Sequence, residues 1–172
     1  TVDPTSTKNT VVWEKPATNA IEGFKIYREI VGNYSLVGYV PYDSLSEFTD
    51  NTNGINPNIT SYRYKIGTLD TCGNESELSD FHKTIHLTVN QGFGGDVNLI
   101  WDNYQGFAFS YNRILRDSTG SGNWQVLDSV SSSVFTWTDI NPTQAISDYM
   151  IEVILPSVCT STRAVNHNST RS

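Results

Sequence analysis

Apolar and polar residues alternate with a period of two in several short stretches of this 172-residue chain. In FKIYRE, Phe24, Ile26 and Arg28 fall on one face, and Lys25 and Tyr27 on the other. In YRYKI, Tyr62, Tyr64 and Ile66 share a face; in YMIEV, Tyr149, Ile151 and Val153 do. Successive side chains of a strand point to opposite faces, so this pattern predicts strands with one buried face. Turn-forming clusters such as DNTNGINPN and DSTGSGN lie between them, and no window carries the stripe of an amphipathic helix.

The pattern occurs twice. Trp13 in VVWEKP lies over Trp101 in NLIWDN. Tyr27-Arg28 then match Leu115-Arg116, YSLVGYV matches WQVLDSV, and FTD at Phe48 to Asp50 matches WTD at Trp137 to Asp139. Tyr62 and Tyr149 each stand ten residues before a cysteine, Cys72 and Cys159. The copies are about 87 residues apart, too long for one solenoid unit and suited to a small β-domain. We therefore expect an all-β chain of two tandem antiparallel sandwiches, residues 1–85 with a truncated first strand and residues 86–172. Trp13 and Trp101, at equivalent positions, are expected in their cores.

Composition agrees with this class. Thr, Ser, Asn, Tyr and Val abound, and there is a single Met; these are strand and turn residues rather than helix formers. Only 17% of residues are charged, and the net charge is -7. An acidic surface argues against nucleic acid, whose phosphates need a basic face. No apolar run approaches the roughly 20 residues of a membrane helix, so no membrane insertion is expected. Two cysteines fit an oxidising compartment. Both ends read as cut points of a longer protein.

A Trp on the second strand, a Tyr-x-Tyr-x-hydrophobic strand near the end and the DTCGNES turn together resemble a fibronectin type III domain, over most of both halves. More narrowly, TVD, WEKP, DTCGNES, HKTIHLTVN and CTSTRA resemble the paired fibronectin-like modules of secreted Bacteroidetes surface proteins. The resemblance implies a corner contact by the first Tyr of the late strand, here Tyr62 and Tyr149. It also implies an extracellular or bacterial cell-surface location, with export by type IX secretion. The second copy departs from the pattern, with PSVCTST in place of DTCGNES.

FHKTIHLTVN, Phe81 to Asn90, must end one such module and begin the next. Ten residues are barely enough for two strands. A single strand near 81–90, shared by both modules, would set them side by side and bring the Cys72 and Cys159 loops together. A Cys72–Cys159 bond would close 86 intervening residues, worth roughly 4–5 kcal/mol on the chain-entropy model. End-to-end stacking would instead keep the two thiols apart.

Candidate chemistry is sparse. Asp50, Asp70, Asn74 and Glu75 are calcium candidates, in oxygen-rich turns without EF-hand spacing. The same residue types cap turns through their own backbone. His82 and His86, if both in one strand, would stand about 13 Å apart, too far for one ion. No G-x-S-x-G, HExxH, P-loop or CxxC occurs, so a non-catalytic chain without cofactor is expected. The aromatic run DNYQGFAFSYN brings Tyr104, Phe107, Phe109 and Tyr111, which either pack or form a ligand surface. The expected function is a structural or adhesive module, a spacer, stalk or adhesin segment of a larger protein. The alternative is a carbohydrate-binding or accessory module of a secreted hydrolase. Expected partners are other domains of the parent protein and a host or environmental glycan or protein.

Overall fold

The computed structural model describes residues 1–2, 7–18, 20–140, 142, 147–160 and 166–172. Among these residues every regular element is a strand except one 3-10 turn at Phe93–Gly95, and every pairing is antiparallel.

In the first half, β1 (Thr10–Val12) is followed by β2 (Ile21–Ile30), β3 (Asn33–Pro41), β4 (Glu47–Thr49), β5 (Arg63–Asp70) and β6 (His82–Lys83). β1 pairs with β4, and a four-stranded sheet runs β3-β2-β5-β6. The alternation of β2 places Phe24, Ile26 and Arg28 inward, and all three are buried. Trp13, Phe24, Ile26, Val40 and Tyr64 form the core between the two sheets. Each fully buried side chain of this kind contributes roughly 1.5–3 kcal/mol. The Phe48 ring lies where a Cβ on Gly38 would stand, so this close approach depends on a residue without a side chain.

The second half repeats the plan. β7 (Leu87–Gln91), β8 (Val97–Trp101) and β11 (Thr136–Asp139) form a three-stranded sheet in the order β11-β8-β7. β9 (Tyr111–Asp117), β10 (Gln125–Ser131), β12 (Asp148–Thr160) and β13 (Asn166–Arg171) form a four-stranded sheet, β10-β9-β12-β13. Ile85, Leu99, Trp101, Tyr104, Ile114, Ile151 and Val153 are its buried core. Three strands on four is a fibronectin-like sandwich, and the fold class expected from the alternation is the one observed.

The stretch expected as one shared strand is divided. β6 closes the four-stranded sheet against β5, and β7 opens the three-stranded sheet against β8. β5 and β8 belong to different sheets, so one straight strand cannot pair with both. Only Thr84–His86 lie between, and these residues are held from both sides. Thr84 N donates to Tyr62 O at 2.9 Å, and Asp102 N donates to His86 O at 2.9 Å. Ile85 is buried in the second core. Lys83 N donates to Gln105 O at 2.7 Å, and Ser61 Oγ to Asp102 Oδ2 at 2.7 Å. The connection therefore has no free linker.

The ends of the chain also meet. Val2 N donates to Arg171 O at 3.1 Å, and Arg171 N to Thr1 Oγ1 at 3.2 Å. Two sandwiches stacked end to end would hold these residues far apart, so the halves lie side by side.

Candidate functional site

Each half encloses one polar cluster at an equivalent place. In the first, Arg28 on β2 stands opposite Tyr64 on β5. Its Nη1 donates to Asp50 Oδ2 at 2.6 Å and to Thr52 Oγ1 at 2.6 Å. Tyr64 Oη donates to the same Asp50 oxygen at 2.8 Å, and Asn9 Nδ2 donates to Tyr64 Oη at 3.2 Å. Thr52 donates its N–H and its hydroxyl to Asp50 Oδ1, at 3.1 and 2.6 Å. Asp50 and Asn9 are fully buried, and Arg28 and Tyr64 nearly so. Burial alone would raise the Asp50 pKa, but the bonds from Thr52, Tyr64 and Arg28 outweigh it and hold the carboxyl below its ordinary range. Burial, then the Asp50 charge, pushes the Tyr64 phenol up.

In the second half, Arg116 stands opposite Tyr149. Arg116 Nη1 and Tyr149 Oη donate to Asp139 Oδ2 at 2.7 and 2.8 Å. Burial and this carboxylate push the Tyr149 phenol up to about 12. Counting back from the cysteines relates Tyr149 to Tyr62, whereas the ladders relate it to Tyr64. The Tyr62 hydroxyl instead reaches back along the chain, donating to Gly54 O at 3.3 Å and accepting from Asn56 N at 3.0 Å. A guanidinium that cannot lose its proton and a carboxylate saturated with donors can hold an interior together, but they offer no nucleophile or base.

The calcium candidates are spent on the protein's own donors. A cation at Asp50 would lie against the Arg28 guanidinium. Asp70 Oδ1 accepts from Cys72 N and Asn74 N at 2.9 and 2.7 Å, and Asp70 Oδ2 from Asn74 Nδ2 at 3.0 Å. These bonds, first those from Asn74, hold its carboxyl below the ordinary range. Glu75 accepts from Lys25 Nζ at 2.7 Å and from the Tyr27 hydroxyl. Among the described residues, no group of three or more His, Cys, Asp or Glu is placed to hold a metal ion.

The expected Cys72–Cys159 bond is not present. Cys72 is a free, exposed thiol at the tip of the tight Asp70–Asn74 turn, where Gly73 adopts φ 86. Cys159 lies on β12 opposite His167, and its side chain falls outside the described residues. The histidines part company as well. The His82 ring bonds the Tyr104 hydroxyl, whereas His86 Nε2 lies 3.1 Å from Asn58 O. Burial lowers the His82 pKa.

Trp13 and Trp101 are buried in the two cores. Tyr104, Phe107 and Phe109 pack together, with ring centroids 4.5 Å apart for Tyr104–Phe107 and 6.2 Å for Tyr104–Phe109. Tyr111, from the same run, is 62% exposed beside a shallow hollow that it shares with Arg113, Ile154 and Pro156. One exposed ring is less than the stacking platform considered for a glycan.

Sequence reasoning did not find a cavity between the two halves. A cleft of ≈ 590 Å³ opens along the β1 edge. Val12, Trp13 and Ile66 line it from the first half, and Tyr104, Phe107 and Leu155 from the second. A signal was available for the paired polar clusters, since arginine and aspartate recur at matching positions of the repeat. None was available for the cleft, because it depends on how the halves meet.

No family model matches the chain, and no curated protein matches it. Among solved structures, the FN1–FN3 domains of chicken CNTN1 align with 96% of this chain at 11% identity and a TM-score of 0.35. The chain covers 59% of the length of that structure. The fold assignment rests on the sheets themselves. Among the described residues no helix is long and apolar enough to cross a membrane.

Proposed function

We propose that the chain is a non-catalytic structural or adhesive segment, a two-module spacer of a larger extracellular or cell-surface protein. Its modules are residues 1–85 and 86–172. The observation that carries this reading is the junction, where Thr84–His86 are bonded to both halves and leave no hinge. A spacer must keep its length and direction, and a connection without free residues does so. The polar clusters add rigidity to each half and have no exposed reactive group. A bacterial origin and type IX export are suggested by the sequence resemblance.

Limited trypsin digestion tests the junction. Native protein is expected to resist cleavage after Lys83 until it unfolds globally. Rapid cutting there, as in a flexible linker, would contradict the reading. An array of glycans tests the alternative, a carbohydrate-recognition module. No saturable binding is expected; a hit abolished by Tyr111→Ala would move the function to carbohydrate recognition.

A further inference from the structure

The four-stranded sheet of the second half turns one face to the core, where Ile114, Ile151 and Val153 lie. Alternation puts Tyr111, Arg113, Glu152 and Ile154 on the other face. There Glu152 on β12 stands between two cations, opposite Arg113 on β9 and Arg171 on β13. Glu152 Oε1 accepts from Arg171 Nε at 2.8 Å and lies 2.8 Å from Arg171 Nη2. Arg113 Nη1 stands 3.7 Å from Oε2, beyond hydrogen-bond length. The Glu152 side chain is 6% exposed and the Arg113 side chain 46%. Two guanidiniums thus share one buried carboxylate, which leaves a local positive charge on a chain of net charge -7. The ≈ 490 Å³ hollow beside Arg113 is lined by Phe109, Tyr111, Ser129, Ile154 and Pro156, and among the described residues no carboxylate lines it.

We infer that this hollow binds an acidic segment of another protein, an Asp or Glu side chain next to a bulky apolar residue. A planar guanidinium donates two parallel bonds to a carboxylate, and Arg113 has donors to give because Arg171 already serves Glu152. The apolar neighbour would cover Tyr111 and Ile154, both exposed, and take their surface from water. One local positive charge matches one carboxylate. A polyanion would meet the acidic remainder of the chain. A sugar acid carries the same carboxylate, but its ring hydroxyls need polar partners once buried. Apart from Arg113 and Tyr111, the described lining offers only the hydroxyls of Ser110 and Ser129. The inference does not rest on the spacer reading, because the hollow belongs to the second half alone.

The probe is the capped peptide acetyl-Gly-Glu-Leu-Gly-amide, titrated into the 172-residue chain. Amide NMR shifts are expected to saturate and to map to Tyr111, Arg113 and Ile154. Changing the peptide's Glu to Gln, or its Leu to Gly, is expected to weaken binding about tenfold or more. Arg113→Met in the protein is expected to weaken it by a similar factor. That variant keeps the apolar stem and leaves Glu152 with Arg171, so Tm should hold. Arg171→Met is expected to weaken binding too, because Glu152 then draws in Arg113. Absence of saturable binding would overturn the inference. So would equal binding of the Gln or the Gly peptide, or an affinity unchanged by either arginine variant. Glucuronic acid binding more tightly than the peptide at the same residues would put a sugar acid in the hollow and overturn a protein partner.

Discussion

Asp50→Ala is expected to lower the unfolding free energy by about 3–5 kcal/mol, the cost of stranding one member of a buried ion pair. The variant leaves the Arg28 guanidinium buried and takes the acceptor from Tyr64 and Thr52. Asp139→Ala is expected to cost less, about 1–3 kcal/mol, because the Arg116 and Asp139 side chains are 19% and 12% exposed and water can replace the lost partner. The double variant Arg28→Met with Asp50→Leu removes both charges and is expected to recover most of the loss, since a packed apolar pair has no buried charge to satisfy. Urea unfolding followed by tryptophan fluorescence checks all three. A cost for Asp50→Ala no greater than for Asp139→Ala would contradict the assignment.

The same carboxylate sets the acid limit. The folded-state pKa of Asp50 is depressed, so its contribution is complete above the unfolded value, roughly pH 4, and is lost as pH falls through the folded value. Asp70 and Asp117, whose carboxyls are also lowered by bonds to neighbouring residues, act in the same direction. The urea midpoint should therefore change little on acidification from neutrality and fall below about pH 4, with part of that fall missing in Asp50→Ala.

The second large effect is expected at Tyr104. Its ring is buried, its hydroxyl bonds His82, and its neighbours are Phe107 and Phe109. Tyr104→Ala should cost about 3–5 kcal/mol, as aromatic-to-alanine changes in cores do. It should also split a single unfolding transition into two, because Tyr104 belongs to the second core yet grips the strand that ends the first half. Phe109→Ala is the control. It thins the same cluster away from His82 and should destabilise the second half without parting the transitions. Calorimetry of the two variants separates these outcomes.

The two-fold plan was legible because period-two alternation depends only on neighbours along the chain. Phe24, Ile26 and Arg28 are inward as the pattern implies. The same alternation could not choose between Tyr62 and Tyr64, which share a face. Counting from the cysteines pairs Tyr149 with Tyr62 whereas the ladders pair it with Tyr64, because Cys72 lies in the turn after β5 and Cys159 still lies on β12. Arg28 could be placed inward, but its partner Asp50 lies across the sandwich, and an aspartate before a turn looks the same whether it caps a loop or closes an ion pair. The disulfide depended on loop placement, and Cys72 sits instead on an exposed turn. Tyr104 and Tyr111 belong to one aromatic run, yet one is buried and the other exposed, a difference made by His82 and Phe107 from outside the alternation.

Backbone ¹⁵N relaxation tests most directly whether two copies of one β-fold are fixed together without a hinge. The strands of both halves are expected to report a single rotational correlation time, with amides of Thr84 to His86 as ordered as those of β5 and β8. Two distinct correlation times, or fast local motion confined to Thr84 to His86, would contradict the account.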